Sequence, residues 1–215
     1  MKHILPEDIE RTSMSIIARE LEERGIVLPA EHAAVVRRVI HTTADFDFAE
    51  NLCFTSDAVK SGIKALADGT TIITDTNMAK AGISKPALAK LGGQVCCFMA
   101  DEDVARTAKE QDTTRAVAAM EKATEQFPNA VFAIGNAPTA LLRIAELIEE
   151  GIRPALVIGV PVGFVNVVES KKAALAICQA KGIPTILAMG RKGGSGVAAA
   201  ICNALLYQAT EIVCW

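Results

Sequence analysis

Aromatic residues are scarce in this chain, and basic residues are not in excess. Aromatic side chains make up 4% of the 215 residues, whereas 51% of the residues are hydrophobic. A core of mostly small aliphatic side chains favours helices packed on a parallel sheet over an aromatic-rich β-sandwich. The net charge of −3 provides no basic field, so nucleic acid is not expected as a partner.

Long apolar runs and targeting signals are also missing. No apolar run approaches the roughly 20 residues needed to span a bilayer, so no membrane partner is expected. The segment MKHILPEDIERTS has no apolar signal core, and its acidic residues argue against a transit peptide. We therefore expect a cytoplasmic protein, and at this length a single domain over residues 1–215.

The cysteines do not form a metal-binding pattern. No two of them are spaced as C-x-x-C, and no histidine lies near any of them. Cys96 and Cys97 fall in one strand-like run and are expected to point to opposite faces of a sheet. We expect reduced, mostly buried thiols and no metal site. The six cysteines are Cys53, Cys96, Cys97, Cys178, Cys202 and Cys214.

Five short apolar runs rich in β-branched residues predict five strands. Helical segments near 103–125, 138–150 and 164–181 alternate with the later strands, which is typical of a parallel sheet covered on both faces. The sequence therefore predicts an α/β, flavodoxin-like, doubly wound sheet of about five parallel strands in the order 2-1-3-4-5. The strand candidates are TTIITD (70–75), QVCCFM (94–99), AVFAIG (130–135), ALVIGV (155–160) and PTILAM (184–189).

The first 69 residues show no clear strand. Their apolar spacing predicts three helices, near 6–24, 31–43 and 56–67. We expect these helices to form an N-terminal helical cap, residues 1–69, on an α/β core that comprises residues 70–215.

Four of the loops that follow the predicted strands are rich in glycine, asparagine and proline. In open α/β sheets, ligands bind at the carboxyl ends of the strands. Where a helix begins there, its free backbone N–H groups can bind an anion. One such loop is explained by a tight turn, but four at one edge favour an anion-binding rim. The loops are DTNMAKAGISK, GNAPTA, GVPVGF and GRKGGSG, and Pro138 of the second suits the first turn of a helix.

Nucleotide binding is disfavoured by the positions of the glycines. GRKGGSG lacks the pattern G-x-x-x-x-G-K-[ST], and it follows the last strand instead of the first. No G-x-G-x-x-G follows the first strand either. A flavin or nucleotide binder of the same fold is therefore a weaker interpretation.

His41 lies at the end of an apolar helix, in the segment RRVIHTTADFDF (37–48). At about 100° per residue, Arg37, Arg38 and His41 are expected to share the face opposite the apolar stripe. A solvated charged face is the usual explanation, whereas a helix C-terminus favours a protonated imidazole. The residues alone therefore leave an acid–base role and a surface role open. Of the other histidines, His32 is expected to be structural and His3 to lie in a frayed terminus.

Six segments distributed over the chain resemble one family. They are RTSMSII (11–17), RRVIHTTADFDF (37–48), DTNMAKAGI (75–83), GNAPTALL (135–142), GVPVGFVNVVESK (159–171) and GRKGGSG (190–196). They are similar to the precorrin-8X and cobalt-precorrin-8 methylmutase family of corrin biosynthesis. The resemblance implies a homodimeric, flavodoxin-like isomerase with active sites near the subunit interface. Such an enzyme moves a methyl group from C11 to C12 of the macrocycle, without a cofactor, to give cobyrinate or hydrogenobyrinate.

The resemblance also implies site residues. From the family's R-x-x-H motif, His41 is the acid–base residue and Arg38 contacts the substrate. The serine of the N-terminal motif corresponds to Ser13, with Ser15 as the alternative alignment. The other implied substrate-binding residues are Ser84, Lys85, Arg115, Asn136, Thr139 and Gly194.

The implied substrate is a corrinoid that carries several carboxylates around a wide apolar ring. Such a molecule needs apolar walls and a rim of cations and amides, and a methyl shift needs only a well-placed proton. HTTAD, in place of an HACG-like continuation, favours the cobalt-containing, anaerobic substrate. A non-catalytic corrinoid or tetrapyrrole carrier on the same fold is the alternative function.

Overall fold

The computed structural model describes residues 6–55 and 57–211. Within these residues, six strands form one sheet in the order β1-β6-β5-β4-β2-β3. Strands β2 to β6 are parallel to one another, and β1 pairs with β6 in the antiparallel sense. The strands are β1 (Leu52–Phe54), β2 (Ile72–Thr74), β3 (Val95–Cys96), β4 (Val131–Ile134), β5 (Leu156–Gly159) and β6 (Thr185–Ala188).

All five predicted strands are present, and their order along the sheet is the predicted 2-1-3-4-5. The expectation that the first 69 residues lack a strand is wrong, because β1 adds to the edge of β6. β1 has only three residues and depends on its neighbour more than on its own sequence. The amide of Thr55 donates to the carbonyl of Thr185, and the amide of Thr185 donates to the hydroxyl of Thr55.

Eleven helices occur among the described residues. The predicted single helix at 103–125 is wrong, because it is divided into α7 and α8 by a turn at Asp112, where φ is 51°. Thr114 then caps α8 by accepting a hydrogen bond from the amide of Val117. The helices are α1 (Pro6–Glu23), α2 (Ala30–Thr43), α3 (Phe48–Asn51), α4 (Ala58–Ala67), α5 (Asn77–Gly82), α6 (Lys85–Lys90), α7 (Glu102–Glu110), α8 (Arg115–Gln126), α9 (Pro138–Glu150), α10 (Val167–Lys181) and α11 (Ser195–Ala209).

The helices cover the sheet on both faces, as the continuous apolar strands predict. Helices α1, α2, α4 and α11 contribute to one apolar cluster, and α7 to α10 contribute to the other. Helix α9 begins at Pro138, as expected for proline in a first helical turn. No helix within residues 6–55 and 57–211 is long and apolar enough to cross a membrane.

The cysteines and the remaining histidines differ in part from expectation. Cys178 and Cys202 are buried, whereas Cys53, Cys96 and Cys97 are only half-buried, so most of the described thiols are not fully buried. Strand β3 ends at Cys96, so Cys97 does not continue the alternation of the strand. The ring of His32 stacks on Phe54 with centroids 3.9 Å apart, in keeping with a structural role. Cys214 and His3 lie outside the described residues.

Candidate functional site

The side chain of His41 is held by a serine of α1. The hydroxyl of Ser13 lies 2.7 Å from Nδ1 of His41, where α1 packs on the C-terminal part of α2. Ser15 is exposed on α1, and its hydroxyl donates to the carbonyl of Arg11. The structure therefore brings Ser13, and not Ser15, to the histidine.

A cleft of about 590 Å³ lies beside this pair, between α1 and the end of α2. Its walls are mostly apolar, and Ile9 and Ile16 remain 53% and 40% exposed at its mouth. No described residue hydrogen-bonds Nε2 of His41, so this nitrogen is free to meet a ligand. The cleft is lined by Ile9, Thr12, Ser13, Ile16, Ile17, Glu20, Arg24, Ile40, His41, Ala44 and Phe46.

Arg24 is a cation of this cleft that the sequence analysis missed. Its guanidinium lies 4.1 Å from the centroid of the Phe46 ring, and 3.6 Å separates Arg24 Nη2 from Glu20 Oε2. The signal was the helical spacing along α1, since residues three and four apart share a face. Ser13 and Glu20 follow that spacing, and Arg24, the first residue after α1, continues it through the bond of its amide to the Glu20 carbonyl, so all three line the same wall.

Arg38 does not lie on an exposed face with His41, so that expectation is wrong. Its side chain is buried, and its Nη2 lies 2.5 Å from a carboxylate oxygen of Glu10. The guanidinium also lies 5.1 Å from the centroid of the Tyr207 ring. Residues of α1 and α11 cover this side chain, and an ion pair and an aromatic face replace part of its hydration, whereas its buried Nε has no hydrogen-bond partner among the described residues. Arg38 does not line the His41 cleft.

At the carboxyl edge of the sheet, Asp75 organises the loop after β4. This carboxylate is 1% exposed and accepts hydrogen bonds from the amides of Gly135, Asn136 and Ala137, at 2.8, 2.8 and 2.6 Å. Burial raises the pKa of Asp75, although the three amides act in the opposite direction. These amides were expected to bind an anion of a ligand. Asp75 already occupies them, so the expectation of free amides in this loop is wrong.

The loop after β6 is fixed to its neighbours in a similar way. The amide of Gly194 donates to the carbonyl of Val160 at the end of β5, so it is not free for a ligand. The hydroxyls of Ser195 and Thr76 lie 2.8 Å apart and join this loop to the loop after β2. Gly193 passes close to β5, since a Cβ there would lie 2.1 Å from the carbonyl oxygen of Val160.

Lys192, in the loop after β6 at the carboxyl edge of the sheet, connects this rim of loops to the segment that follows His41. Its ammonium lies 2.6 Å from a carboxylate oxygen of Asp45 and 2.6 Å from one of Asp47. The hydrogen bond with Lys192 lowers the pKa of Asp45. The two aspartates that follow the histidine in the sequence therefore bind a lysine of the rim.

The other predicted site residues lie away from the His41 cleft. The amide of Ser84, at the start of α6, donates to Asn203 Oδ1 of α11, and Lys85 is exposed beside it. The hydroxyls of Thr114 and Thr139 are 3.3 Å apart, which places the exposed Arg115 beside the loop after β4. Of the two arginines implied to bind the substrate, neither Arg38 nor Arg115 lines the His41 cleft. Ser84, Lys85, Arg115, Asn136, Thr139 and Gly194 do not line that cleft.

Comparison with known proteins finds matches along nearly the whole chain. Residues 8–208 match the family described as precorrin-8X methylmutase. Cobalt-precorrin-8 methylmutase of Salmonella typhimurium is 45% identical over 210 residues, which cover 96% of this chain and 97% of that protein. Precorrin-8X methylmutase of Pseudomonas aeruginosa is 38% identical over 198 residues, which cover 92% and 93%.

A solved structure shares the fold as well as the sequence. The crystal structure of precorrin-8X methylmutase from Thermus thermophilus superimposes with a TM-score of 0.86 at 38% identity. The match covers 95% of this chain and 97% of that one.

Proposed function

The chain belongs to the precorrin-8X methylmutase family, and from that premise we propose that it converts cobalt-precorrin-8 to cobyrinate with His41 as the acid–base group. As a member of this family it is an isomerase of cobalamin biosynthesis. The reaction moves one methyl group from C11 to C12 of the macrocycle. The observation that carries the role of His41 is its contact with Ser13 at the wall of an open, largely apolar cleft.

We propose different tasks for the two ring nitrogens of His41. Nδ1 is engaged by the Ser13 hydroxyl, whose oxygen accepts a hydrogen bond from Nδ1–H of an imidazolium. Nε2–H then donates its proton to the macrocycle, which biases the conjugated system toward the methyl shift. Nε2 takes the proton back as the product forms, so the step is an isomerisation with no net change in protons.

The cleft supplies only part of what a corrinoid requires. Its isoleucines offer an apolar wall, and Arg24 offers one cation for a carboxylate arm. Of the other predicted substrate contacts, Asn136, Thr139 and Gly194 lie in loops or helix starts at the carboxyl edge of the sheet, and Arg115 lies beside the loop after β4. We propose that the substrate meets both groups in a homodimer, in which the rim of one subunit faces the cleft of the other.

Exposed apolar side chains near the rim support this arrangement. Met78, Val162, Phe164 and Val165 are between 45% and 84% exposed. All four follow strands of the sheet at its carboxyl edge, where a macrocycle or a second subunit would cover them.

We propose the cobalt-containing substrate because of the sequence that follows His41 and because of the names of the relatives. The Salmonella typhimurium protein carries the cobalt-precorrin-8 name, at 45% identity. The Pseudomonas aeruginosa protein, named for precorrin-8X, is 38% identical.

The decisive experiment assays cobalt-precorrin-8 and precorrin-8X in parallel with purified protein. Product formation is followed by the change in visible absorption of the macrocycle. We expect faster turnover of the cobalt form, and turnover lowered by roughly 10²–10⁴-fold with His41→Asn. Binding of either compound without turnover by the wild-type protein would support the carrier alternative, and a flavin spectrum would contradict both.

A further inference from the structure

Lys171 of α10 is fully buried without an acidic partner among the described residues. Its exposure is 0%, although lysine is rarely buried unless its charge is paired. Desolvation lowers its pKa to about 8. An apolar side chain of similar length would fill the same space without this cost, so the ammonium itself needs an explanation.

The explanation lies in the loop after β6. Lys171 Nζ donates to the carbonyl of Gly190 at 2.9 Å and to the carbonyl of Lys192 at 2.8 Å. The lysine therefore binds the peptide groups that follow Gly190 and Lys192, two of the loop, from the interior of the protein.

These two bonds determine where the neighbouring amides point. In a planar trans peptide, the C=O of one residue and the N–H of the next point in opposite directions. The amides of Arg191 and Gly193 are consequently turned away from Lys171. No described residue accepts a hydrogen bond from either amide, whereas the next amide, that of Gly194, donates to Val160.

We propose that Lys171 is a positioning residue for substrate binding, which turns the amides of Arg191 and Gly193 outward to receive a carboxylate of the corrinoid. The loop is otherwise well placed for this task. Its Lys192 is paired with the aspartates that follow His41, and the Arg191 guanidinium lies 5.4 Å from the centroid of the exposed Phe164 ring. The inference rests on the proposed function for the identity of the substrate.

The test compares Lys171→Met with Lys172→Met, which removes the exposed lysine next to it on α10. The probes are cobyrinate and its fully esterified form, which has the same ring without the carboxylate charges. Affinity is measured by titration of the corrin absorption. We expect Lys171→Met to weaken cobyrinate binding about tenfold, as for the loss of two modest hydrogen bonds. We expect it to leave binding of the ester unchanged, Lys172→Met to match wild type, and Lys171→Arg to recover part of the affinity.

A second measurement uses the wild-type protein, so the inference does not depend on the folding of a variant. Hydrogen exchange at the amides of Arg191 and Gly193 should slow when cobyrinate binds and remain unchanged with the ester. Unchanged exchange in the presence of bound cobyrinate would overturn the inference, as would wild-type cobyrinate affinity in a folded Lys171→Met. Wild-type binding of cobyrinate without turnover of cobalt-precorrin-8 would instead contradict the proposed function alone.

Discussion

The hydroxyl of Ser13 lies 2.7 Å from Nδ1 of His41, although 28 positions separate them in the sequence. The contact ties the ring of a residue at the end of α2 to the middle of α1. Because Nδ1 is engaged, Nε2 is the nitrogen left for a substrate. The position of the His41 ring therefore depends on the packing of α1 against α2.

Replacing His41 by Asn tests whether its proton is needed. The amide keeps a hydrogen-bonding group of similar shape but cannot exchange a proton near neutral pH. We expect corrinoid binding to persist while turnover falls by roughly 10²–10⁴-fold, the usual contribution of a general acid–base group. Near wild-type turnover in His41→Asn, measured by corrin absorption, would reduce the histidine to a binding residue.

Ser13→Ala and Ser15→Ala form a matched pair on α1. Ser13→Ala removes the hydrogen bond that orients the His41 ring, so we expect kcat to fall by about tenfold, in line with one lost hydrogen bond. Ser15 contacts only the backbone of its own helix, and its replacement should leave kcat unchanged. An equal effect of both substitutions would show that the Ser13 contact has no part in catalysis.

Asp75→Asn tests the buried carboxylate of the rim. The amide group of Asn has one oxygen instead of two, so at least one of the loop amides loses its acceptor. A buried unpaired N–H costs about 1–3 kcal/mol, and we expect the free energy of unfolding to fall by that order. Chemical denaturation measures the change. Stability equal to wild type would mean that the loop rearranges to pair its amides elsewhere.

The positions of five strands could be predicted because each apolar run is readable one strand at a time, and their order followed from the doubly wound fold class. Strands β4, β5 and β6 are fully buried, and apart from Thr185 their sequences are continuously apolar for that reason. β1 could not be predicted, since three residues carry no periodicity and the edge of β6 decides their pairing.

Single residues of the site could be predicted from the sequence, but the contacts between them could not. His41 stood out because a histidine ended a helix among charges, and Ser13 followed from a motif. The burial of Arg38 depends on Glu10 and Tyr207, which are distant in the sequence and leave no local signal. Asp75 likewise reads as an exposed turn residue until the loop after β4 closes over it.

Arg38→Met tests whether the arginine is structural. Removing it leaves Glu10 without its partner and takes the cation from the Tyr207 ring, so we expect a loss of about 1–3 kcal/mol of stability. Glu10→Gln keeps an oxygen that can accept the hydrogen bond but leaves the buried guanidinium without a counter-charge, so we expect a loss of the same order. Thermal unfolding gives both values. Unchanged stability together with weaker cobyrinate binding would show that Arg38 binds the substrate, as the family resemblance implies.

The last prediction concerns the dependence of stability on pH at Lys171. Its pKa is about 8 in the folded protein and 10.5 when unperturbed, so between these values the unfolded chain binds more protons than the folded chain. The free energy of unfolding should therefore rise with pH across this window, by up to about 3 kcal/mol from this residue. Below about pH 8 the cost of burying the charge is fully present.

Lys171→Met lacks the titrating group and should not show this rise. The experiment measures urea unfolding of both proteins between about pH 7 and pH 10, where every other titrating group is common to the two. The free energy of unfolding of wild type minus that of Lys171→Met should increase with pH, while Lys172→Met should follow wild type. A difference that stays constant over this range would mean that the pKa of Lys171 is the same in the folded and the unfolded protein, as expected if water reaches its ammonium.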